Sequence, residues 1–193
     1  MYAISAETCG VKVEQVALDE NFDVDYLAVE LAVNAPDSQI KIVFLCAPNN
    51  PTGNMLDKEK LVTLLQATKG KALIVADEAY IEFCPALSQA DLIKDHENLV
   101  ITRTLSKAFA LASIRCGFTI AQKSVIEMMS KVIAPYPVPE PVAQIATQAL
   151  SAQGLETMRE RVAILNNNRM VLASSLEKLP ALRKYFQQQE TLY

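Results

Sequence analysis

The sequence is poor in glycine, and its few glycines lie far apart. Only five of 193 residues are glycine, whereas the usual share is about 7%. Because no two of them are close, neither G-x-G-x-x-G nor G-x-x-x-x-G-K-[ST] occurs anywhere in the chain. Both the dinucleotide-binding turn and the P-loop are therefore excluded as motifs.

Histidine, clustered basic residues and long apolar runs are also scarce. With His96 as the one histidine, a histidine-rich metal site cannot be built. The net charge is −4, and no Lys/Arg run exceeds two residues, so nothing predicts a nucleic-acid partner. The apolar runs are short and interrupted, and the first seven residues lack a signal-peptide pattern. We therefore expect a soluble cytoplasmic protein without metal, membrane or nucleic-acid partner.

The four cysteines do not form a recognisable metal or disulfide pattern. Cys9, Cys46, Cys84 and Cys116 are spaced 37, 38 and 32 positions apart, and no CxxC pair exists. Two of them lie in strand-like apolar runs. The spacing predicts buried free thiols rather than disulfides or metal ligands.

The sequence does contain alternating strand-like and helix-like segments. Helical patterns cover residues 25–33, 57–68 and 123–133, with Asp57 as the expected N-cap of the second helix and Gly70 at its end. The run 40–46 is apolar almost throughout, which is typical of a sheet covered on both faces. This alternation predicts an α/β fold with a mostly parallel sheet. The predicted strands are 11–18, 40–46, 71–76, 99–102 and 116–121.

After residue 133 the pattern changes. The segment 134–141 has four prolines in eight residues and is expected to be extended. Helices are predicted over 141–150 and 154–179, and the second has one apolar stripe that includes Met158, Val162, Leu165 and Leu172. We expect the three asparagines at 166–168 to lie on its solvated face. Residues 184–186 resemble the beginning of a further strand.

Polar residues follow three of the predicted strands, where open α/β sheets bind their ligands. The strand 40–46 is followed by A-P-N-N-P-T-G, which predicts a rigid turn around Asn50. Asp77 directly follows the strand 71–76, and a carboxylate at a buried strand end needs a cationic or hydrogen-bonding partner. The strand 99–102 is followed by R-T-L-S-K-A-F, which combines Lys107 with two hydroxyls, and Arg115 comes eight positions later.

These residue types fit the chemistry of pyridoxal phosphate. That cofactor needs a lysine for a Schiff base and an acid that keeps its ring nitrogen protonated. A tyrosine or asparagine near its phenolic oxygen stabilises the anion. Hydroxyls and an arginine can bind its phosphate without a glycine-rich loop.

Three strings of the sequence resemble class I/II aminotransferases of fold type I. They are A-P-N-N-P-T-G at 47–53, V-A-D-E-A-Y-I-E-F at 75–83 and T-L-S-K-A-F-A-L-A-S-I-R-C-G-F at 104–118. Their order and spacing match as well, because 27 positions separate Asn50 from Asp77 and 30 separate Asp77 from Lys107. The resemblance is greatest to the histidinol-phosphate aminotransferase family and runs along essentially the whole chain.

The resemblance implies a role for each matched residue. Lys107 would form the Schiff base with the cofactor and would move a proton between substrate and cofactor. Asp77 would pair with the pyridine nitrogen. The other implied cofactor contacts are to the phenolic oxygen, from Tyr80 and Asn50, and to the phosphate, from Ser106, Arg115 and Thr104.

The resemblance also implies a three-layer large domain, truncated at both ends relative to the family. Residues 1–150 would be a partial cofactor-binding domain, 151–182 a long helix, and 183–193 the start of a small domain. The implied reaction moves an amino group between histidinol phosphate and 2-oxoglutarate in histidine biosynthesis, through a homodimer. The family arginine that binds the substrate carboxylate, and the aromatic residue that stacks on the cofactor, would lie outside these 193 residues.

Several alternatives remain open at this stage. Tyr80 could be a core residue, Asn50 a simple turn residue, and Arg115 a structural partner of Glu78. The region around Tyr136 could be a rigid linker or could line a cleft or a dimer contact. The same scaffold could catalyse another reaction, such as aromatic aminotransfer, decarboxylation or a lyase reaction. An inactive fragment is the remaining alternative, and from the missing arginine and aromatic we expect little or no transaminase activity.

Overall fold

The computed structural model describes residues 2–179 of the chain. Short 3₁₀ turns at 81–83, 85–87, 90–94 and 112–114 connect the main elements. The helices are α1 (Tyr2–Thr8), α2 (Tyr26–Asn34), α3 (Lys58–Ala67), α4 (Lys123–Ser130), α5 (Glu140–Ala149) and α6 (Ala152–Leu176). The strands are β1 (Ile42–Cys46), β2 (Leu73–Asp77), β3 (Leu99–Thr104) and β4 (Gly117–Ala121).

The four strands form one sheet in the order β1-β2-β3-β4. β1, β2 and β3 are parallel, and β4 runs antiparallel to β3. In the register, Cys46 pairs with Asp77, and Asp77 pairs with Thr102. The predicted α/β class with a mostly parallel sheet is confirmed.

Helix α3 shows how the local sequence sets an element and its packing. Asp57 caps it, because its carboxylate accepts hydrogen bonds from the backbone N–H groups of Glu59 and Lys60, each at 3.0 Å. Gly70, in the turn beyond it, has a φ of +72°, a conformation that glycine adopts without strain. The face that α3 turns to the sheet is fully buried through Leu61, Leu64 and Leu65.

The main core lies between the sheet and the helices α2 and α3. Its members alternate along the strands, as expected when one face of each strand packs inward. Buried Asn98 links the core to the end of α3, since its Nδ2 donates to the Leu65 carbonyl at 3.0 Å. The strand residues in this core are Leu45, Ile74, Ala76, Leu99 and Ile101.

The prediction of a strand at residues 11–18 is wrong. These residues have neither helix nor strand structure, and every one of them is exposed. The alternation of apolar residues was the basis of that prediction, but a strand forms only where another strand pairs with its backbone. Among the described residues, none pairs with this segment. The helix α1 at Tyr2–Thr8 was not predicted.

Two predictions about burial also need correction. β1 is not covered on both faces, because Ile42 is 53% and Phe44 47% exposed on the face away from α2 and α3. The four cysteines are free, as predicted, but they are not buried. Cys9 is exposed and the other three are half-buried.

The helical part after residue 133 follows the predicted order. Residues 134–139 form neither helix nor strand, and Tyr136 there is 95% exposed. The predicted stripe of α6 is buried only at Met158 and Val162, whereas Leu165 and Leu172 are more than half exposed. The tail 183–193 lies outside the described residues, and the domain boundaries at 150 and 182 stay predictions.

The prediction that Asn166 lies on a solvated face of α6 is wrong. Its Nδ2 donates to the carbonyl oxygen of Phe83 at 3.0 Å and so ties α6 to the turn after β2. Asn167 and Asn168 are exposed, as predicted. Within residues 2–179, no helix has the length and apolar character needed to cross a membrane.

Candidate active site

The candidate site lies at the carboxyl ends of β1, β2 and β3, which meet at one edge of the sheet. The register places Cys46, Asp77 and Thr102 side by side at this edge. The loops that leave these strands therefore start next to one another. They are the three segments whose sequences predicted a cofactor site.

The loop after β1 is a rigid turn that carries Asn50. The backbone N–H of Gly53 donates to the Asn49 carbonyl at 2.7 Å, and Gly53 adopts a φ of +83° that favours glycine. The backbone N–H of Ala47 donates to the Asp77 carbonyl at 3.0 Å, so the loop is joined to β2. Asn50 Nδ2 then donates to the hydroxyl of Tyr80 at 2.9 Å.

Asp77 ends β2, and both of its carboxylate oxygens accept hydrogen bonds. Oδ1 accepts from the backbone N–H of Ala79 at 3.1 Å, and Oδ2 accepts from the hydroxyl of Tyr2. The Tyr2 ring stacks on Phe44 with 4.7 Å between ring centroids. Burial and the bond to Asp77 raise the pKa of Tyr2, so its phenol stays protonated and donates.

Lys107 lies in a tight loop anchored by buried Leu105. The backbone N–H of Leu111 donates to the Leu105 carbonyl at 3.1 Å, and Ala110, at a φ of +56°, donates to the Lys107 carbonyl at 2.9 Å. The ammonium of Lys107 stands 5.0 Å from the centroid of the Tyr80 ring, which is a cation–π distance. The predicted residues Asn50, Tyr80 and Lys107 thus form one cluster, and Tyr80 is half-buried within it rather than part of the core.

The two predicted hydroxyls lie together just before the lysine. Thr104 Oγ1 is 2.9 Å from Ser106 Oγ and accepts from the Ser106 backbone N–H at 3.1 Å. The same oxygen lies 3.3 Å from the carbonyl oxygen of Cys116. These contacts orient both hydroxyls at the start of the Lys107 loop.

Arg115 is exposed, and the structure does not bring its guanidinium into contact with those hydroxyls. Arg115 has a φ of +52°, and its Nη1 donates to the nearby Ala112 carbonyl at 2.9 Å. The alternative in which Arg115 pairs with Glu78 is wrong, because the partner of Glu78 is Arg103, at 2.8 Å.

Sequence analysis missed Tyr2 and the role of Arg103. Tyr2 reaches Asp77 across 75 positions of sequence, and no local pattern indicates that contact. Arg103 could have been found. An acid after one parallel strand and an arginine at the end of its neighbour form a pair once the strand register is assumed.

The arrangement can bind a small planar molecule that has both a reactive carbonyl and an anionic group. Lys107 offers an amine, Asp77 a carboxylate for a protonated ring nitrogen, and Tyr80 with Asn50 a pair of polar groups beside that amine. The hydroxyls of Thr104 and Ser106 can donate to an anion. Among residues 2–179, no three His, Cys, Asp or Glu side chains are grouped to hold a metal ion.

Known proteins that are similar to this chain in sequence or in structure include aminotransferases. The histidinol-phosphate aminotransferase of Aeromonas salmonicida (strain A449) is 54% identical over 187 residues, which cover 97% of this chain and 52% of that protein. The crystal structure of the histidinol-phosphate aminotransferase from Clostridium acetobutylicum matches with a TM-score of 0.80 and 29% identity. That match covers 92% of this chain and 52% of the other.

A second solved structure is the histidinol-phosphate aminotransferase of Sinorhizobium meliloti in complex with pyridoxal-5'-phosphate. It matches with a TM-score of 0.79 and 25% identity over 91% of this chain and 47% of that one. The chain therefore spans about half the length of the relatives it matches. The model of the aminotransferase class I and II family matches residues 1–193. The chain belongs to the class I and II aminotransferase family.

Proposed function

We propose that the chain carries the cofactor-binding centre of a pyridoxal-phosphate-dependent histidinol-phosphate aminotransferase. The observation that carries the proposal is the convergence of Asn50, Tyr80 and Lys107 beside Asp77 at one sheet edge. Two relatives that are 54% and 52% identical to this chain are named histidinol-phosphate aminotransferases, which supports the choice of substrate.

Asp77 and Lys107 have the central roles in this proposal. When bound, the cofactor supplies a carbonyl and an electron-withdrawing ring, which make a proton on the substrate α-carbon acidic. The Asp77 carboxylate, which accepts from the Tyr2 hydroxyl, would hold the ring nitrogen protonated. Lys107 Nζ would be the amine that holds the cofactor through its carbonyl and the group that carries the proton.

The other residues orient the cofactor. Tyr80 and Asn50 donate toward its phenolic oxygen, and their mutual hydrogen bond of 2.9 Å holds both side chains in place. Thr104 and Ser106 bind the phosphate with their hydroxyls. Arg115, whose exposed guanidinium donates to the Ala112 carbonyl, would contribute to the same phosphate, as the family resemblance implies.

The proposal includes the amino donor, the 2-oxo acid acceptor, a homodimeric assembly and a cytoplasmic location. The first three points rest on the family resemblance, and the location rests on the charge and apolar pattern of the sequence. Decarboxylase, lyase and aromatic aminotransferase reactions are less favoured, because the relatives at 48–54% identity are named histidinol-phosphate aminotransferases.

Borohydride trapping tests the Lys107 assignment. The chain is incubated with pyridoxal phosphate, reduced, and mapped by peptide mass spectrometry. We expect one stable pyridoxyl adduct, on Lys107, and its loss in Lys107→Arg, which keeps the charge. Lys123→Arg is the matched control, because the Lys123 side chain is 88% exposed at the start of α4. An adduct that forms mainly on another lysine would overturn the assignment.

A second measurement tests the substrate. The cofactor-loaded chain is mixed with histidinol phosphate or with an aromatic amino acid, and release of pyridoxamine phosphate is followed by chromatography. Because little activity is expected of the 193-residue chain, the measurement compares single conversions: more pyridoxamine phosphate should be released with histidinol phosphate than with the aromatic amino acid. Release with the aromatic amino acid alone would contradict the proposed substrate and leave the Lys107 assignment intact.

A further inference from the structure

We propose that Glu78 and Arg103 form a buried clamp that positions Asp77 and the Lys107 loop relative to each other. The clamp consists of these two side chains together with Ser88 and the backbone N–H of Gln89. This inference rests on the proposed function, because it assigns to Glu78 and Arg103 the positioning of the groups that would hold the cofactor.

Glu78 is a buried carboxylate whose hydrogen-bonding capacity is fully used. Its side chain is 1% exposed. Oε2 accepts from Arg103 Nε at 3.0 Å and from Arg103 Nη2 at 2.8 Å. Oε1 accepts from the Gln89 backbone N–H at 2.7 Å, and the Ser88 hydroxyl lies within 3.1 Å of both oxygens.

The clamp joins the ends of the two strands that lead to the site. Glu78 follows Asp77 directly, and its backbone N–H still donates to the Thr102 carbonyl at 2.9 Å. Arg103 is the next residue on β3, and Thr104 follows it. The pair is thus one position from Asp77 on one strand and one position from the first site hydroxyl on the other.

The clamp and the candidate site lie on opposite faces of the sheet. Side chains alternate along a strand, so Arg103 shares the face of Leu99 and Ile101, which belong to the main core. Thr104 and Asp77 share the other face, where Tyr2 reaches Asp77 over Phe44. The clamp therefore lies behind the candidate site and would act on it without contacting a bound cofactor.

Stability alone is a poor explanation for such a pair. Removing two charges from water offsets most of their attraction, and apolar residues of similar size are often as stabilising. What a doubly hydrogen-bonded arginine–carboxylate pair adds is a fixed geometry. Here that geometry sets the spacing between the Asp77 carboxylate and the loop that begins at Thr104.

A charge-free clamp variant separates positioning from stability. The double variant Glu78→Met/Arg103→Met removes both charges of the pair, so neither partner is left unpaired in the interior. The control is Asp91→Asn, which breaks the exposed Lys58–Asp91 ion pair, also 2.8 Å long. Three quantities are measured on the full 193-residue chain: the urea midpoint of unfolding, the Kd for pyridoxal phosphate by absorbance, and amide exchange without cofactor.

If the clamp positions the site, the double variant unfolds near the wild-type midpoint, yet its Kd rises about tenfold or more. Amides of 104–111 exchange faster, while amides of α3 and the Asp91→Asn control match wild type. A folded double variant with wild-type Kd and wild-type exchange over 104–111 overturns the proposal. A Kd that changes only in proportion to the fraction unfolded overturns it as well.

Arg103→Lys provides a second test if the double variant does not fold. Lysine keeps the charge but cannot donate from two nitrogens at once. We expect the same faster exchange over 104–111 and the same weaker cofactor binding, and wild-type values would refute the clamp. Failure of the wild-type chain to trap cofactor on Lys107 would instead refute the proposed function, and exchange measured without cofactor would still report on the clamp.

Discussion

Burial of the Glu82 carboxyl lowers the free energy of unfolding of this chain. Its Oε2 is buried without a hydrogen-bond partner among the described residues. Burial raises the pKa of this carboxyl, and the nearby Arg103 only partly opposes the shift. When this carboxyl is ionised, the folded chain therefore holds a charge that the unfolded chain solvates better.

The pH dependence of stability follows from this shift. The folded state binds the Glu82 proton more tightly than the unfolded state, so this residue's contribution is complete at low pH. It is lost as the pH rises from the ordinary glutamate value of 4.5 through the raised pKa. Glu82→Gln should flatten the fall of the free energy of unfolding with pH, measured by urea titration between acid and neutral pH. Glu7→Gln, at an exposed position of α1, is the control, and equal slopes in wild type and Glu82→Gln would contradict the assignment.

Among the elements, helix α3 is stabilised both by its N-terminal cap and by the packing of its apolar face. The Asp57 carboxylate accepts from two backbone N–H groups, and the Asp57 backbone N–H donates to the Tyr26 hydroxyl at 2.9 Å. Three leucines bury one face of the helix. That helix forms one wall of the main core, behind the strands that carry the site. Its stability is thus coupled to the position of β2 and β3.

Removing the cap of α3 should therefore destabilise the whole chain. Asp57→Ala leaves the backbone N–H groups of Glu59 and Lys60 without their partner, at a cost of about 1 kcal/mol in the free energy of unfolding. Asp37→Ala, in the exposed turn after α2, is the matched control and should change little. Chemical denaturation of both variants checks this, and similar values for the two would argue against the capping contribution.

On the scale of the whole molecule, the helical part is held less firmly than the sheet. Helix α6 spans 25 residues, yet only Met158 and Val162 are buried, both in its first half. Asn166, near the middle of α6, donates a hydrogen bond to the turn after β2. Beyond it, apolar side chains such as Met170, Val171 and Leu172 are more than half exposed.

This difference predicts a gradient of local stability along α6. Amide protons of 167–176 should exchange with solvent faster than those of 152–163, because few packed side chains oppose opening of the second half. Hydrogen exchange read by mass spectrometry or NMR checks this, with β2 as the internal reference of high protection. Uniform protection along the helix would contradict the prediction.

The sequence by itself determined the α/β class, the order of the elements from residue 25 to residue 176, and the three loops of the candidate site. This was possible because helix caps and apolar periodicity depend only on neighbouring residues. The spacing of Asn50, Asp77 and Lys107 can likewise be read directly from the sequence. Periodicity failed at 11–18, because alternation indicates a strand only where a partner strand supplies hydrogen bonds.

Only the tertiary structure decided which distant groups meet. The contact of Tyr2 with Asp77, the pairing of Glu78 with Arg103 rather than Arg115, and the link from Asn166 to Phe83 each join separate segments. Such contacts depend on strand register and on how helices pack, which are set by the burial of the whole chain. The sequence therefore predicted the chemical groups of the candidate site, and the fold decided which contacts hold them in place.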